Sequence, residues 1–200
     1  MLYTLKLALA IFGVIFASFI TIALLTSYSV AIFGGGPFLP TPKKAVKKIL
    51  KEIGVKKGDI LYDIGAGDGR FLHYAEKLYG AKAIGFEIDP FVFFMGKLKQ
   101  WIFGWKGKLI RSNFRHYDLS DANIVICYML PNTLIEYQKK FDKELKRGTL
   151  VASYTFHIGS WKPIKIIEKD TKAGIKKIFI YKVTKKSKKR ITKKRISKRT

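Results

Sequence analysis

Asp63–Arg70 reads DIGAGDGR, preceded by an apolar run that ends at Asp63–Ile64 and followed by a helical pattern over Phe71–Tyr79. A glycine-rich turn from a strand into a helix is where an open α/β sheet binds its ligand. Such turns usually cradle phosphate with backbone N–H groups. Asp63 and Asp68 would repel a phosphate, and their presence needs a reason in a chain of net charge +25, with 39 Lys and Arg against 14 Asp and Glu. The third glycine comes one residue early for the dinucleotide pattern G-x-G-x-x-G, and Arg70 stands where that pattern packs a small residue. No Gly-Lys-Ser/Thr follows, so the Walker pattern fails too.

A ligand that suits this loop is cationic and carries an amino group, a sulfonium and a ribose but no phosphate, as S-adenosylmethionine does. Asp63 is placed to accept from its ammonium, and the glycines let backbone approach the methionine portion. Glu87 ends the next strand, eighteen residues past Gly69, and is placed to accept two ribose hydroxyl hydrogen bonds. Six of the 14 acids fall between Asp59 and Asp89, the clustering a cation site needs.

Outward from the loop, strand and helix patterns alternate: Ile60–Ile64 then Phe71–Tyr79, Ala83–Glu87 then Phe91–Ile102, Leu109–Ser112, Ile124–Met129 then Asn132–Lys146, and Thr149–Phe156. Alternation of this kind predicts a parallel sheet with helices on both faces. Ile164–Ile167 and Lys176–Val183 have no helix between them, so the sheet is expected to finish in an antiparallel hairpin. Ahead of the sheet, Thr41 as N-cap and Pro42 at the first helical position open a helix to about Ile53, closed by Gly54. Its lysines form either a solvated face or a contact for anionic lipid.

Leu7–Phe33 carries no charge over 27 residues, enough to cross a hydrocarbon core of about 30 Å as a helix. Lys6 precedes it, whereas Lys43, Lys44, Lys47, Lys48 and Lys51 follow. The run is about twice as long as the apolar region of a signal peptide, which favours an uncleaved anchor over 1–33 against a cleaved signal peptide. The lysine bias predicts the rest of the chain on the cytoplasmic side. A connector, 34–42, a globular domain, 43–184, and a basic tail, 185–200, complete the expected organisation. Lys182 to Thr200 holds eleven Lys and Arg and no acid, a block that is usually disordered and that suits anionic lipid or RNA equally.

DIGAGDG and GFEID together resemble the first and second motifs of class I S-adenosylmethionine-dependent methyltransferases. PFLPTP at Pro37–Pro42, an N-terminal span, GFEIDP, and DLSDANIVICYMLP at Asp118–Pro131 resemble one branch more closely. This branch comprises the membrane-anchored protein lysine methyltransferases related to those that modify the c-subunit of ATP synthase and the adenine nucleotide translocase. The resemblance implies a Rossmann-like α/β fold with a seven-stranded sheet and N-methylation of a lysine in a membrane-associated protein. It places Thr41, Asp63, Gly65, Ala66, Gly67, Asp68, Gly69, Glu87, Ile88, Asn113 and Phe114 at the cofactor, and Tyr128 and Pro131 on the acceptor side. Thr41 then contacts the cofactor under a folded-over PFLPTP segment, or merely caps a helix. Asn113 and Phe114 hold adenine, or are a turn Asn and a core Phe. The lysine-rich tail departs from the family pattern, and so does the absence of a helix between His157 and Pro163.

The Asn/Asp-Pro-Pro-aromatic sequence of nucleobase amine methyltransferases is missing, which lowers the case for a DNA or RNA adenine. The alternatives are an RNA methyltransferase guided by the basic tail and a non-catalytic lipid- or RNA-binding protein on a methyltransferase fold. Cys127 reads as a small buried hydrophobe rather than a nucleophile, and it leaves no disulfide framework. His73, His116 and His157 have no metal-ligand spacing, so no metal is expected. His157 is a base or a residue at a sheet edge. In FVFFMGKLKQWIFGW, Phe91–Trp105, Phe91, Val92 and Met95 read as core, while Trp101 and Trp105 suit either the core or a headgroup-level contact beside the anchor.

Overall fold

The computed structural model describes residues 1–33 and 36–184. Helix α1 runs Leu2–Phe33 and α2 Lys43–Ile53, and then strands and helices alternate. They are β1 Ile60–Ile64, α3 Arg70–Tyr79, β2 Lys82–Glu87, α4 Pro90–Phe103, β3 Lys108–Arg111, β4 Ile124–Cys127, α5 Pro131–Glu144, β5 Leu150–Tyr154, β6 Lys165–Ile167 and β7 Ile178–Lys182. The seven strands lie in the order β3-β2-β1-β4-β5-β7-β6. β1 to β5 are parallel, while β7 pairs antiparallel with β5 and β6. The α/β class, the parallel sheet and the closing hairpin stand as the sequence pattern implies. Chain order reverses at β1, whose neighbours are β2 and β4, so the carboxyl end of β1 is the switch point where a ligand crevice opens.

Two apolar layers enclose the sheet. One joins Val46, Ile49 and Leu50 of α2 with Leu72 and Ala75 of α3. The other joins Leu134, Tyr137 and Phe141 of α5 with Val125 and Val151. The α2 face Ala45, Val46, Ile49, Leu50 and Ile53 is fully inside, at the helical spacing expected, and Gly54 ends the helix at φ +77°.

Local expectations fail at Thr41, at the ends of β4 and β5, and on α4, where Phe91 and Met95 are half-buried rather than core. Thr41 is not the N-cap of α2: the helix begins one residue later, Pro42 holds the cap position, and no side chain caps it. Arg70 of α3 instead donates to the Thr41 carbonyl, which ties the connector to the glycine loop. Trp105 is core, 5% exposed, whereas Trp101 is 81% exposed on α4. The strand expected over Thr149–Phe156 stops at Tyr154, because Thr155 turns the chain at φ +77°. Helix α1 is exposed along most of its described side chains and packs against α4, where the Phe19 and Phe91 rings meet edge-on at 6.3 Å. It is long and apolar enough to cross a membrane. Gly34, Gly35 and the basic tail 185–200 lie outside the described residues.

Candidate active site

A cleft of about 210 Å³ opens at the carboxyl ends of β1, β2 and β4. Its floor is the DIGAGDGR loop. Gly65 and Gly67 sit at φ +76° and +57°, where an L side chain is strained, and the turn is held by Gly65 and Ala66 N–H donating to the Phe86 carbonyl at 3.0 and 2.8 Å. A Cβ at Gly67 would stand 2.5 Å from the Phe38 ring, and one at Gly65 would stand 2.3 Å from Met129 Cε. The connector and the segment after β4 therefore close over the loop from two sides.

Asp63 and Glu87 are the acids with work left to do. Asp63 is 3% exposed, and its Oδ2 has no hydrogen-bond partner among the described residues. Burial first, then the charges of Glu87 and Asp68, push its carboxyl well above the usual carboxylate range, with Arg70 opposing. A buried orphan acceptor is costly unless something outside the chain satisfies it. Glu87 Oε2 accepts from Gly67 N–H at 2.8 Å, and Oε1 accepts from Ile88 and Asp89 N–H at 2.8 and 2.9 Å. Of roughly four acceptor sites on a carboxylate, three are taken, and the remaining one is on Oε2. Two ribose hydrogen bonds expected from the sequence thus reduce to one unused acceptor site, because Glu87 also fastens the loop. Burial raises the Glu87 carboxyl, and these three backbone donors hold it back.

The other clustered acids are occupied by protein partners. Arg70 grips Asp68 through Nε and Nη2 at 2.7 and 2.6 Å, and Lys99 binds the same carboxylate. Burial alone would raise the Asp68 carboxyl, but the Arg70 and Lys99 hydrogen bonds prevail and lower it. Asp89 caps α4 by accepting from Phe91 and Val92 N–H at 2.8 and 3.1 Å. Glu76 holds the Lys106 and Gly107 N–H groups, and Asp59 holds that of Lys56. Clustering overstated the acids open to a ligand; Asp63 and the Glu87 Oε2 remain.

Of the sequence candidates, Thr41, Asp63, Gly65, Ala66, Gly67, Asp68, Glu87, Ile88, Asn113, Phe114 and Tyr128 line this cleft. Gly69 and Pro131 do not. Gly69, at φ +76°, caps α3 and leaves room for Trp105, which would lie 2.7 Å from an added Cβ. Pro131 is exposed at the first position of α5, where its missing N–H costs nothing. Asn113 Oδ1 accepts from Arg115 N–H at 3.0 Å, so it forms the turn and faces the cleft at once. Phe114 is buried edge-on to Tyr137 at 4.4 Å. Cys127 is fully buried, and burial pushes its thiol up to about 12, in keeping with a packing role. His157 bonds the Gly159 carbonyl at 3.0 Å and is not part of the cleft wall.

Sequence reasoning missed Ser27, Tyr137, Phe156 and Lys176, all in the wall, where Phe38 of the PFLPTP segment and Met129 and Leu130 after β4 also stand. Lys176 Nζ donates to the Tyr128 hydroxyl at 3.1 Å and lies 5.6 Å from the ring centroid. Hydrogen bonding to Tyr128 raises the Lys176 ammonium above its ordinary value.

The family model described as the ANTKMT methyltransferase domain matches residues 63–165, from Asp63 to the first residue of β6. The chain belongs to this family. A protein-lysine N-methyltransferase of Saccharolobus islandicus is 34% identical over 66% of this chain and 84% of its own length. The human lysine N-methyltransferase of the ATP synthase C-subunit is 27% identical over 72% of this chain, and the match spans 60% of that enzyme. Among solved structures, an RNA methyltransferase from Salinibacter ruber in complex with S-adenosyl-L-homocysteine superposes with a TM-score of 0.69 at 27% identity, covering 78% of this chain and all of that one.

The protein is a class I methyltransferase, and its cofactor is S-adenosylmethionine. The residues present fit that cofactor: the orphan Asp63 carboxylate suits an ammonium, the Glu87 Oε2 acceptor suits a ribose hydroxyl, and the loop between them has no side chain at Gly65 or Gly67 to obstruct it.

Proposed function

We propose that the protein N-methylates the side chain of a lysine in a membrane protein, and that Tyr128, Met129, Leu130, Phe156 and Lys176 form the acceptor end of the cleft. The observation that carries this reading is the Tyr128 corner, which already holds an ammonium through its hydroxyl and ring face, that of Lys176. An incoming lysine brings the same nitrogen, presented to the hydroxyl as a neutral amine once its proton is lost. The two relatives named as lysine N-methyltransferases, one of them acting on the ATP synthase C-subunit, support the same acceptor.

S-Adenosylmethionine supplies an electrophilic methyl group on sulfur. Asp63 takes its ammonium, Glu87 one ribose hydroxyl, and Asn113 with Phe114 the adenine edge and face; Thr41, Ala66 and Ile88 complete the wall, and Asp68 acts indirectly by fixing Arg70 and Lys99. On the acceptor side the lysine must arrive without its proton, since the lone pair attacks. Tyr128 accepts one amine N–H, which turns that lone pair inward. Positioning supplies most of the acceleration, as for any displacement between two held partners.

Helix α1 is read as the anchor, with the lysines of α2 on the cytoplasmic side. A connector of residues 34–42 reaches at most about 30 Å, which keeps the cleft close to the bilayer and concentrates membrane substrates around it. A second reading, methylation of RNA, draws on the likeness to the Salinibacter ruber protein and on the basic tail. Incubation of the full chain with host membranes, host RNA and labelled S-adenosylmethionine separates the two. Methyl-lysine in a membrane protein, lost in Glu87→Ala, is the expected result. Label in RNA alone, falling steeply with salt, would transfer the assignment to the second reading.

A further inference from the structure

The most unusual surface of the globular part is α4. Phe94, Leu98, Trp101 and Ile102 are all exposed, Trp101 at 81% and Phe94 at 61%. At 3.6 residues per turn they fall within an arc of about 100°, and the buried pair of the helix, Val92 and Gly96, falls opposite. Gly96 faces the cofactor loop so closely that an added Cβ would stand 3.2 Å from the Gly67 carbonyl oxygen. The inner side of α4 thus braces the active site, while its outer side is an apolar stripe left uncovered.

The stripe is continuous with α1. Phe91 lies within the same arc, and its ring meets Phe19 of α1 at 6.3 Å. One residue earlier, Pro90 lines a groove with Ile22, Leu25, Thr26 and Ser29 of α1. Helix α1, at 32 residues, is about 48 Å long, against about 30 Å of hydrocarbon, so roughly a third of it exceeds the span. Its contact with α4 falls in the half nearest the globular part, where a spanning helix leaves the acyl chains. Lys97, exposed, flanks the edge of the stripe formed by Trp101, the pairing of an ammonium and an indole that a headgroup layer accommodates.

We propose that α4 lies in the headgroup layer of an anionic bilayer, with Phe94, Leu98, Trp101 and Ile102 turned to the acyl chains, so that the cleft opens at the membrane surface. This rests on the reading of α1 as a spanning helix. Asp89 at the N-terminus of α4 and Ser27 of α1 both line the cleft, so the acceptor lysine is taken from the boundary between lipid and water.

Trp101 reports its own depth in a Trp161→Phe background, because α1 contains no tryptophan, Trp105 is buried, and Trp161, half-buried, is then removed from the emission. The full chain is reconstituted in phosphatidylcholine and phosphatidylglycerol vesicles with acyl chains brominated at different depths. The expected result is quenching strongest for bromines near the headgroup end, with most of it gone in Trp101→Phe and at least halved in Phe94→Glu, while alkaline carbonate fails to extract the protein. Carbonate-resistant protein whose Trp101 emission is water-like and unquenched overturns the placement of α4 alone. So does protection of Trp101 by concentration-dependent cross-linking to a second copy. Release by carbonate overturns the spanning reading and this inference with it.

Discussion

Asp63→Asn moves two observables in opposite directions. The Asp63 carboxylate is buried with one oxygen unpartnered, and its folded-state pKa stands well above 3.8, chiefly from burial. In the ligand-free protein, both folded and unfolded chains are protonated below 3.8, so the side chain neither helps nor harms there. As pH rises past that value the unfolded chain loses its proton first, and stability falls until the raised folded-state pKa is passed. The neutral amide removes this penalty, so ligand-free Asp63→Asn has a higher Tm than wild type at neutral pH and the same Tm near pH 3.8. The bound state reverses the order. A hydrogen bond between charged groups contributes about 1.5–3 kcal/mol, so the variant binds cofactor roughly ten to a hundredfold more weakly. At a cofactor concentration of about 100 times the wild-type Kd, wild type gains about 2.7 kcal/mol, or roughly 5–10 °C in Tm. A variant a hundredfold weaker gains about 0.4 kcal/mol, or roughly 1 °C. Differential scanning fluorimetry with and without ligand reads both numbers. Asp63 addresses the ammonium, which S-adenosylhomocysteine shares, so that ligand loses as much. A loss confined to S-adenosylmethionine, or a lower Tm for the ligand-free variant at neutral pH, refutes this account of Asp63.

Glu87→Ala orphans the Gly67, Ile88 and Asp89 N–H groups, each worth about 1–3 kcal/mol when buried without a partner, so it lowers the ligand-free Tm as well as cofactor affinity, opposite in the first respect to Asp63→Asn. Gly67→Ala forces Phe38 aside and strains a backbone at φ +57°, and calorimetry is expected to show weaker cofactor binding with far-UV circular dichroism unchanged. Tyr128→Phe leaves the cofactor Kd unchanged and reduces turnover of the lysine substrate about two- to tenfold, the worth of one hydrogen bond, as steady-state methyl transfer would record. Cys127, fully buried, stays unlabelled by iodoacetamide in the folded protein with activity retained, as intact-mass analysis would show.

The frame of the fold is legible because each of its signals is local. A strand that ends at Asp63, glycines at alternate positions and a second strand that ends at Glu87 set the switch point and the floor of the cleft. The two tryptophans of α4 and its C-terminal turn differ by a single packing choice: Trp105 folds back over Gly69, which an added Cβ would block, and that leaves Trp101 outside. Charge was harder to read. Asp59, Asp68, Glu76 and Asp89 count as acids near the loop, yet each is taken by protein N–H groups or cations, a pairing that only the folded chain reveals. Thr41 carries a strong capping signal that Arg70, 29 residues on, overrides by drawing its carbonyl toward the loop. Lys176 had no signal, since it reaches Tyr128 across the carboxyl end of the sheet from 48 residues away.

Isothermal titration of the full chain in detergent with S-adenosylmethionine, repeated in two buffers of different ionisation enthalpy, addresses the central claim. Binding at one site per chain, reversed by S-adenosylhomocysteine and releasing a proton at pH values below the raised Asp63 pKa, is the result expected. No heat from either ligand, or displacement of bound S-adenosylmethionine by a dinucleotide, would contradict the assignment of this cleft.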